Sequence, residues 1–378
     1  SKKRKLPIYK RAEMLANIVS LKKNIIVTGS HGKTTTTSLV AKILSEAKLD
    51  PTIINGGVIN SIKSNAKFGK GEWTVLEADE SDGSFLKLPI NYSVVTNVDN
   101  EHLDFYKSYQ NLKRAFVKFI NKTPPIGKSI VNCDDNVLRK ILTLSKTKNF
   151  LTYGFRNNSN YQITNSKYNL NSSHFDLRIK LHGSKVSTIR NIIINLIGKH
   201  NVLNAAASVA ICMNLGIKIN VIKQALKNFS GVQRRLTKIF IKKDIEFYDD
   251  YAHHPTEIKA VLEGLRNVYV NRKIISIFQP HRYSRLKSLK NQFASCFKFS
   301  SVVLLCPIYP AGEKRDLSYN QLNFGKLISK NSKVQVIIIK NEREIEKFLK
   351  KNLINNEIVV GMGAGSISKW MRDLKDKL

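Results

Sequence analysis

Residues 29–34 carry the side chains of a nucleotide phosphate-binding loop. They follow the β-rich run 24–28 and precede a stretch with helical spacing at 34–47. Glycines let backbone N–H groups turn toward phosphate oxygens, a lysine reaches the outer phosphates, and a threonine hydroxyl suits Mg²⁺. The loop is shorter than the usual GxxxxGK[ST], since Val27 stands at the first glycine position, and an ordinary tight turn is the alternative. The predicted phosphate-binding residues are Gly29, Ser30, His31, Gly32, Lys33, Thr34 and Thr35.

Residues 77–104 form an acidic segment within a basic chain. The segment holds seven acids and one lysine, although the whole chain has a net charge of +35. It flanks the ends of two predicted strands, where open α/β sheets bind ligands. Mg²⁺ is bound by one or two carboxylates together with phosphate and water. We therefore predict Thr34, Glu77 and His102 as metal ligands. The alternatives are a solvated acidic loop and a core or capping histidine.

Two asparagines open a helical stretch further along the chain. Asn201 and Asn204 stand three residues apart, so they share one face of the predicted helix. Their amides could contact a nucleotide base or ribose. Spacing alone favours the simpler interpretation, in which asparagine caps the start of the helix.

Polar clusters follow successive predicted strands in the last third of the chain. They are centred on Arg235, Asp250, His254, His281 and residues 309–313. Strand ends that meet at one rim of a sheet form a binding site, and arginine binds carboxylate and phosphate in a bidentate way. The adjacent histidines at 253–254 suggest zinc, but no cysteine lies at ligand spacing, so we reject a zinc site.

The apolar runs that position these residues alternate with helical stretches, which indicates parallel α/β sheets. Strands are predicted at 24–28, 73–76, 92–98 and 128–132, and residues 151–196 read as a small antiparallel insert. The pattern resets near residue 229, and a second α/β series follows. We predict an α/β protein of two domains. Residues 1–228 form a central domain with a mostly parallel sheet of the P-loop type and the insert, and residues 229–378 form a Rossmann-like α/β domain.

Composition excludes several classes of protein. Apolar residues are 42% of the chain and charged residues 24%, as in ordinary globular proteins. No apolar run approaches the ~20 residues of a membrane span, so no membrane insertion is predicted. The four scattered cysteines indicate a reduced, cytoplasmic protein. The net charge of +35 raises the alternative of a basic nucleic-acid-binding protein, but the lysines are spread along the chain without a binding motif, so no nucleic-acid partner is predicted.

Short motifs along nearly the whole chain resemble those of the Mur ligase family. In chain order they are GSHGKTTTT, EADESDGSF, NVDNEHLD, GKHNVLNAAA, GVQRR, DDYAHHPTE, FQPHRYSR, YPAGE and GMGAGSI. The resemblance implies an ATP-dependent amide ligase of peptidoglycan synthesis, with Mg²⁺ as its metal. Its expected substrates are UDP-N-acetylmuramate, through its lactyl carboxylate, and L-alanine, joined through an acyl phosphate. The alternative within the family is a muropeptide-recycling ligase that adds a tripeptide. The resemblance also implies that the family's UDP-binding domain would precede Ser1.

The resemblance assigns roles to individual residues. Lys33, Glu77 and His102 are the implied catalytic residues, with Lys33 on the outer phosphates, Thr34 and Glu77 on Mg²⁺, and His102 on a second metal. The implied nucleotide contacts beyond the loop are Asn201, Asn204, Arg235 and Asp250. The implied substrate-binding residues are His254, His281, Arg282 and Arg285. His254 and Asp250 are also the candidates for a base that deprotonates the amine.

Overall fold

The computed structural model describes residues 8–378, which divide into two compact units. The first contains residues as far as Leu196 together with His200–Val232, and the second contains Ile197–Lys199 and Gln233–Leu378. The division after Val232 lies a few residues beyond the boundary that we propose between domains 1–228 and 229–378.

The first unit is built on one ten-stranded sheet with strand order β10-β9-β8-β7-β6-β5-β1-β4-β2-β3. Neighbouring strands from β8 to β2 in this order are parallel, whereas β2 and β3, β8 and β9, and β9 and β10 are antiparallel pairs. The strands are β1 Lys23–Thr28, β2 Thr52–Ile59, β3 Ser64–Lys67, β4 Trp73–Glu77, β5 Tyr92–Val95, β6 Ser129–Asn132, β7 Phe150–Gly154, β8 Tyr161–Tyr168, β9 Ser173–Ile179 and β10 Ser187–Ile194.

Helices cover both faces of this sheet. Ile25 and Val27 of β1 pack in a core with residues of α2, α6 and α7, whereas Ile26 packs with residues of α4 and α5. A strand covered on both faces reads as a continuous apolar run, as residues 25–27 do. The helices are α1 Arg11–Val19, α2 Lys33–Glu46, α3 Leu103–Tyr106, α4 Tyr109–Asn121, α5 Asn136–Leu144, α6 Lys199–Asn214 and α7 Ile219–Lys227, with a 3₁₀ helix at Ser84–Lys87.

The predicted α/β fold is confirmed, with two differences. The antiparallel region is not a separate insert, because β7 pairs in parallel with β6 and carries β8 to β10 onto the main sheet. The sequence analysis also missed β2 and β3, which form the opposite edge. Strand β2 contains Asn55-Gly56-Gly57, a sequence typical of turns.

Strand register brings the predicted site residues of the first unit to one edge. Val27 of β1 lies beside Glu77 of β4, and Thr28 lies beside Val95 of β5. The loop after β1, the end of β4 and the segment after β5 therefore meet at the carboxyl edge of the sheet, as expected for a ligand site.

The second unit has a six-stranded sheet with order β11-β12-β16-β13-β14-β15, parallel except for β11. Its two faces have separate apolar cores, one with α8 to α11 and one with α12 and α13. The strands are β11 Thr237–Lys242, β12 Ile245–Asp250, β13 Ile274–Phe278, β14 Val302–Leu305, β15 Gln335–Ile338 and β16 Ile358–Met362. The helices are α8 Pro255–Val268, α9 Tyr283–Ser288, α10 Lys290–Ser295, α11 Gln321–Ser332, α12 Glu342–Asn352 and α13 Ile367–Lys377.

Two further observations bear on the class of protein. Across residues 8–378, none of the helices has both the length and the apolar character that a membrane span requires. All four cysteines are buried and carry free thiols.

Candidate active site

The loop between β1 and α2 is held by the segment that follows β5. The Ser30 N–H donates to the Asn97 carbonyl at 3.0 Å, and the His31 N–H donates to Asn97 Oδ1 at 2.8 Å. The Thr96 hydroxyl donates to the His31 carbonyl at 2.7 Å. Gly29 has φ 128°, and a Cβ there would lie 2.2 Å from Thr96 Oγ1. Thr96 and Asn97 fix the loop, although the sequence analysis gave them no role.

Helix α6 contacts the same loop through Asn204. Gly32 has φ 83°, and a Cβ there would lie 2.6 Å from Asn204 Oδ1. The Thr36 hydroxyl donates to the same oxygen at 3.3 Å, and Asn204 Nδ2 donates to Asn201 Oδ1 at 3.3 Å. Both asparagines lie inside a helix that begins at Lys199, so neither is its N-cap. The structure therefore brings the predicted pair directly to the predicted loop.

Lys33 is paired with a buried carboxylate. Its Nζ donates to Glu80 Oε2 at 2.8 Å and to the Ser30 carbonyl at 3.2 Å, and the Lys33 and Glu80 side chains are 13% and 1% exposed. Burial favours a lower pKa for Lys33, but the carboxylates of Glu80, Asp79 and Glu77 outweigh it and raise that pKa. Burial likewise favours a higher pKa for Glu80, yet Lys33, with a smaller contribution from His102, lowers the pKa of Glu80 to about 2.

Glu77 and Thr34 place oxygen ligands side by side. The Thr34 hydroxyl donates to Glu77 Oε1 at 3.0 Å, and the Gly56 N–H donates to Glu77 Oε2 at 2.7 Å. A Cβ on Gly56 would lie 2.7 Å from Glu77 Oε2, so β2 approaches the carboxylate only because residue 56 is glycine. A hydroxyl beside a carboxylate is the donor set that Mg²⁺ prefers, so these residues fit the implied metal.

His102 lies in a second acidic group. Its Nε2 is 3.5 Å from Glu80 Oε1 and 4.0 Å from Glu101 Oε2. Burial opposes protonation of His102, but the Glu80 and Glu101 carboxylates raise its pKa. Ligand atoms of His102, Glu80 and Asp79 lie within 4.8 Å of one another. The predicted metal ligands thus fall into two groups. Thr34 lies with Glu77, and His102 lies with Glu80 and Asp79. Glu80 and Asp79 were visible in the sequence only as members of the acidic segment.

Aromatic rings form a row at the carboxyl edge of the second sheet. Tyr251 and His253 follow β12, His281 follows β13, and Tyr309 follows β14. The His253 ring packs edge-on against Tyr251 and His281, at centroid distances of 5.1 and 5.7 Å. The His281 ring stacks on Tyr309 at 5.7 Å with an interplanar angle of 10°. This row orients His281 within its own unit.

Arg285 determines which nitrogen of His281 carries the proton. Its Nη1 lies 3.2 Å from His281 Nδ1. A guanidinium can only donate, so Nδ1 accepts and the neutral ring presents Nε2–H as a donor. Burial and the charges of Arg285 and Arg282 lower the pKa of His281 to about 4. The Arg282 N–H donates to the Tyr309 carbonyl at 2.9 Å, so three of the four predicted substrate-binding residues, His281, Arg282 and Arg285, belong to one cluster.

The Asp250 carboxylate accepts hydrogen bonds from two backbone segments, one just before β11 and one just after β12. It accepts from the Leu236 N–H at 2.6 Å and from the Ala252 N–H at 2.7 Å. Burial raises the pKa of Asp250 to about 6, against the opposing charge of Arg235. The Arg235 guanidinium lies 5.4 Å from the centroid of the Tyr251 ring. These contacts tie residues 235–236 to the end of β12.

His254 is fully buried at the start of α8. Its Nδ1 accepts from the Thr256 N–H at 3.3 Å, and its own N–H donates to Glu257 Oε2 at 3.3 Å. Pro255 occupies the first position of the helix. These contacts are those of a helix cap, and they fix His254 at the helix start.

Two family patterns together match most of the chain. The pattern described as the Mur ligase middle domain matches residues 27–212, and that described as the Mur ligase, glutamate ligase domain matches residues 234–365. The UDP-N-acetylmuramate–L-alanine ligase of Pelagibacter ubique is 56% identical over 376 residues, which cover 100% of this chain and 81% of that protein. The enzyme of the same name from Bartonella bacilliformis is 38% identical, covering 100% of this chain and 80% of its own length.

Solved structures agree with the sequence comparisons. The UDP-N-acetylmuramate-alanine ligase of Thermotoga maritima superposes with a TM-score of 0.80 and 27% identity, covering 100% of this chain and 80% of that one. A murein peptide ligase from Psychrobacter arcticus superposes with a TM-score of 0.70 and 20% identity, covering 100% and 82%, which is a likeness of fold alone. The family patterns cover both units. The predicted loop, the acidic segment and the strand-end clusters lie at the edges of the two sheets. The chain therefore belongs to the Mur ligase family.

Proposed function

We propose that this protein is an ATP-dependent ligase that joins L-alanine to the lactyl carboxylate of UDP-N-acetylmuramate in peptidoglycan synthesis. The observation that carries the proposal is the phosphate loop with Lys33, Thr34 and Glu77 at one sheet edge, in a chain 56% identical to a ligase named for these substrates. A solved relative, the MurF ligase of Thermotoga maritima, contains ADP, which supports an adenine nucleotide as the phosphate donor.

The first chemical step would form an acyl phosphate. A lactyl carboxylate oxygen attacks the γ-phosphorus, the bond to the β,γ-bridging oxygen breaks, and ADP leaves. Backbone N–H groups of the loop and the Lys33 ammonium would stabilise charge on the transferring group, which is the main catalytic contribution in phosphoryl transfer. Thr34 and Glu77 would hold Mg²⁺, which offsets phosphate charge when bound. Asn201 and Asn204 would support the nucleotide side of the loop.

The second step would form the amide. The neutral alanine amine attacks the acyl carbon, the bond from that carbon to the phosphate oxygen breaks, and phosphate leaves while the amine loses a proton. His281 presents a donor at Nε2, so it suits an oxygen of the substrate and does not serve as the base. We propose that His281, Arg282 and Arg285 bind the anionic groups of the substrates.

A cytoplasmic location is part of the proposal. ATP, a UDP-sugar and a free amino acid are cytoplasmic metabolites, and the four free cysteines match a reducing compartment.

Phosphate release tests the function directly. The chain is incubated with ATP, Mg²⁺ and UDP-N-acetylmuramate, with L-alanine, a tripeptide or no amine, and the product is identified by mass. We expect release and a new amide with L-alanine, and loss of both in Lys33→Met. The control is Lys42→Met, which removes a lysine of the same helix that pairs with Glu46. Ligation of the tripeptide in place of alanine would assign the recycling reaction instead.

A further inference from the structure

Glu80 is a buried carboxylate of the His102 group, and the proposed reaction steps do not use its contact with Lys33. Its side chain is 1% exposed and lies 2.8 Å from Lys33 Nζ. Its own backbone is fixed as well, because its carbonyl accepts from the Tyr106 hydroxyl at 2.5 Å and from the Gly83 N–H at 3.1 Å. The carboxylate is therefore held in one place beside the phosphate loop.

The second oxygen of Glu80 faces another residue of the site. Oε1 is buried, has no hydrogen-bond partner within residues 8–378, and lies 3.5 Å from His102 Nε2. One carboxylate thus stands between the lysine proposed to bind phosphate and the histidine proposed to bind a metal. A change at Glu80 would therefore alter the surroundings of both Lys33 and His102.

The charge of the loop follows from this arrangement. A phosphate loop ordinarily offers its lysine as a positive charge to the incoming anion. Here the Lys33 ammonium is paired with the Glu80 carboxylate at 2.8 Å, and the Asp79 and Glu77 carboxylates also raise its pKa. The phosphates of a nucleotide would meet net negative charge, and partial burial makes that repulsion stronger than it would be in water.

We propose that Glu80 is a positioning residue, which holds Lys33 in the loop and offsets its charge when no metal is bound, so that a nucleotide binds with a divalent cation and only weakly without one. The proposal rests on the proposed function only in that a nucleotide binds at residues 29–34. It assigns to one carboxylate both the orientation of Lys33 and the metal dependence of nucleotide binding.

Glu80→Gln tests the charge while leaving an acceptor for Lys33. Calorimetry measures ADP binding to wild type and variant, once with Mg²⁺ and once with EDTA. We expect the metal-free affinity of the variant to rise by about tenfold or more, with a smaller change for Mg·ADP, because one like charge is removed from the phosphate site. Asp82→Asn is the control, since it removes a charge from the same segment at a side chain that caps Ser84. An unchanged metal-free affinity in Glu80→Gln, or an equal rise in Asp82→Asn, would overturn the proposal.

Two further measurements keep the proposal testable if Glu80→Gln does not fold. Wild type alone must bind metal-free ADP at least about tenfold more weakly than Mg·ADP, and equal affinities would overturn the proposal. Glu80→Asp keeps the charge, so it should keep the metal dependence, which a merely structural role would not require. Metal-independent ADP binding contradicts only the role of Glu80, whereas a failure to bind ADP under either condition contradicts the proposed function as well.

Discussion

Removing the ammonium of Lys33 should lower both stability and catalysis, and the two losses should be separable. Lys33→Met keeps most of the apolar stem but leaves the Glu80 carboxylate, 1% exposed, without the cation at 2.8 Å. An unpaired buried charge is costly, so the variant should unfold more easily. Lys33→Met/Glu80→Gln removes both charges and should recover most of the lost stability.

The pKa of Glu80 gives the size of the stability loss. That pKa is lowered from 4.5 to about 2, with Lys33 the largest favourable contributor. At about 1.4 kcal/mol per pH unit, the shift corresponds to up to about 3.5 kcal/mol of folding free energy. A carboxyl group whose pKa is lowered on folding stabilises the protein above the unfolded pKa, and this contribution disappears as the pH falls through about 2. The part of the difference between wild type and Lys33→Met that comes from the wild-type pair should therefore be full above pH 4.5 and be lost as the pH falls to about 2.

Catalysis should respond differently, because the lysine charge acts on the transferring phosphoryl group. Its loss should lower turnover by on the order of 10²–10³-fold, and the double variant should not restore it. Unfolding is followed in urea by tryptophan fluorescence in a Trp370→Phe background, where Trp73 reports on the first unit. Turnover is followed by phosphate release, with Lys42→Met as the control. The reasoning would be refuted by turnover of Lys33→Met within tenfold of wild type, or by a double variant no more stable than the single one.

Three further predictions concern the loop and the second unit. Arg285→Ala should raise the KM for the sugar nucleotide more than that for ATP, and equal changes would count against its proposed role. Gly32→Ala should weaken ATP binding and cost more stability than Gly216→Ala, because both glycines have positive φ but only at Gly32 does a Cβ meet Asn204 Oδ1, at 2.6 Å. Nitrogen-15 NMR should show His281 neutral above about pH 4 with the proton on Nε2; a proton on Nδ1 would contradict the Arg285 contact.

The fold was predicted well where the signal is local. Parallel strands covered on both faces read as short apolar runs, and the four predicted between 24 and 132 appear as β1, β4, β5 and β6. Pairing between distant segments leaves no such trace, so the continuation of the sheet from β6 through β7 was missed. Strand β2 was missed because its glycines favour turns, yet Gly56 is a glycine because the Glu77 carboxylate approaches its backbone.

The candidate site was predicted from residue types and their spacing. The structure distinguishes residues that look equivalent by spacing alone. The acidic segment suggested a cation, but sequence gave no reason to distinguish Glu80 from Asp82. Burial distinguishes them, since Glu80 is fully enclosed against Lys33 whereas Asp82 caps a turn. His254 was predicted to bind substrate and Asp250 to contact the nucleotide, and both were candidates for the base. Their described contacts hold a helix start and two backbone segments, and of these only the bond from the Leu236 N–H to Asp250 joins parts of the chain that are apart in sequence.

The local charge of the loop matters more for ligand choice than the net charge of the chain. A net charge of +35 suggests general attraction to polyanions, which requires clustered and accessible cations. The lysine best placed to meet a phosphate is instead 13% exposed and paired with a carboxylate. An extended polyanion cannot reach that ammonium, whereas the terminal phosphates of a nucleotide entering the loop can. The pairing of Lys33 with Glu80 therefore favours a small phosphate ligand that brings its own cation.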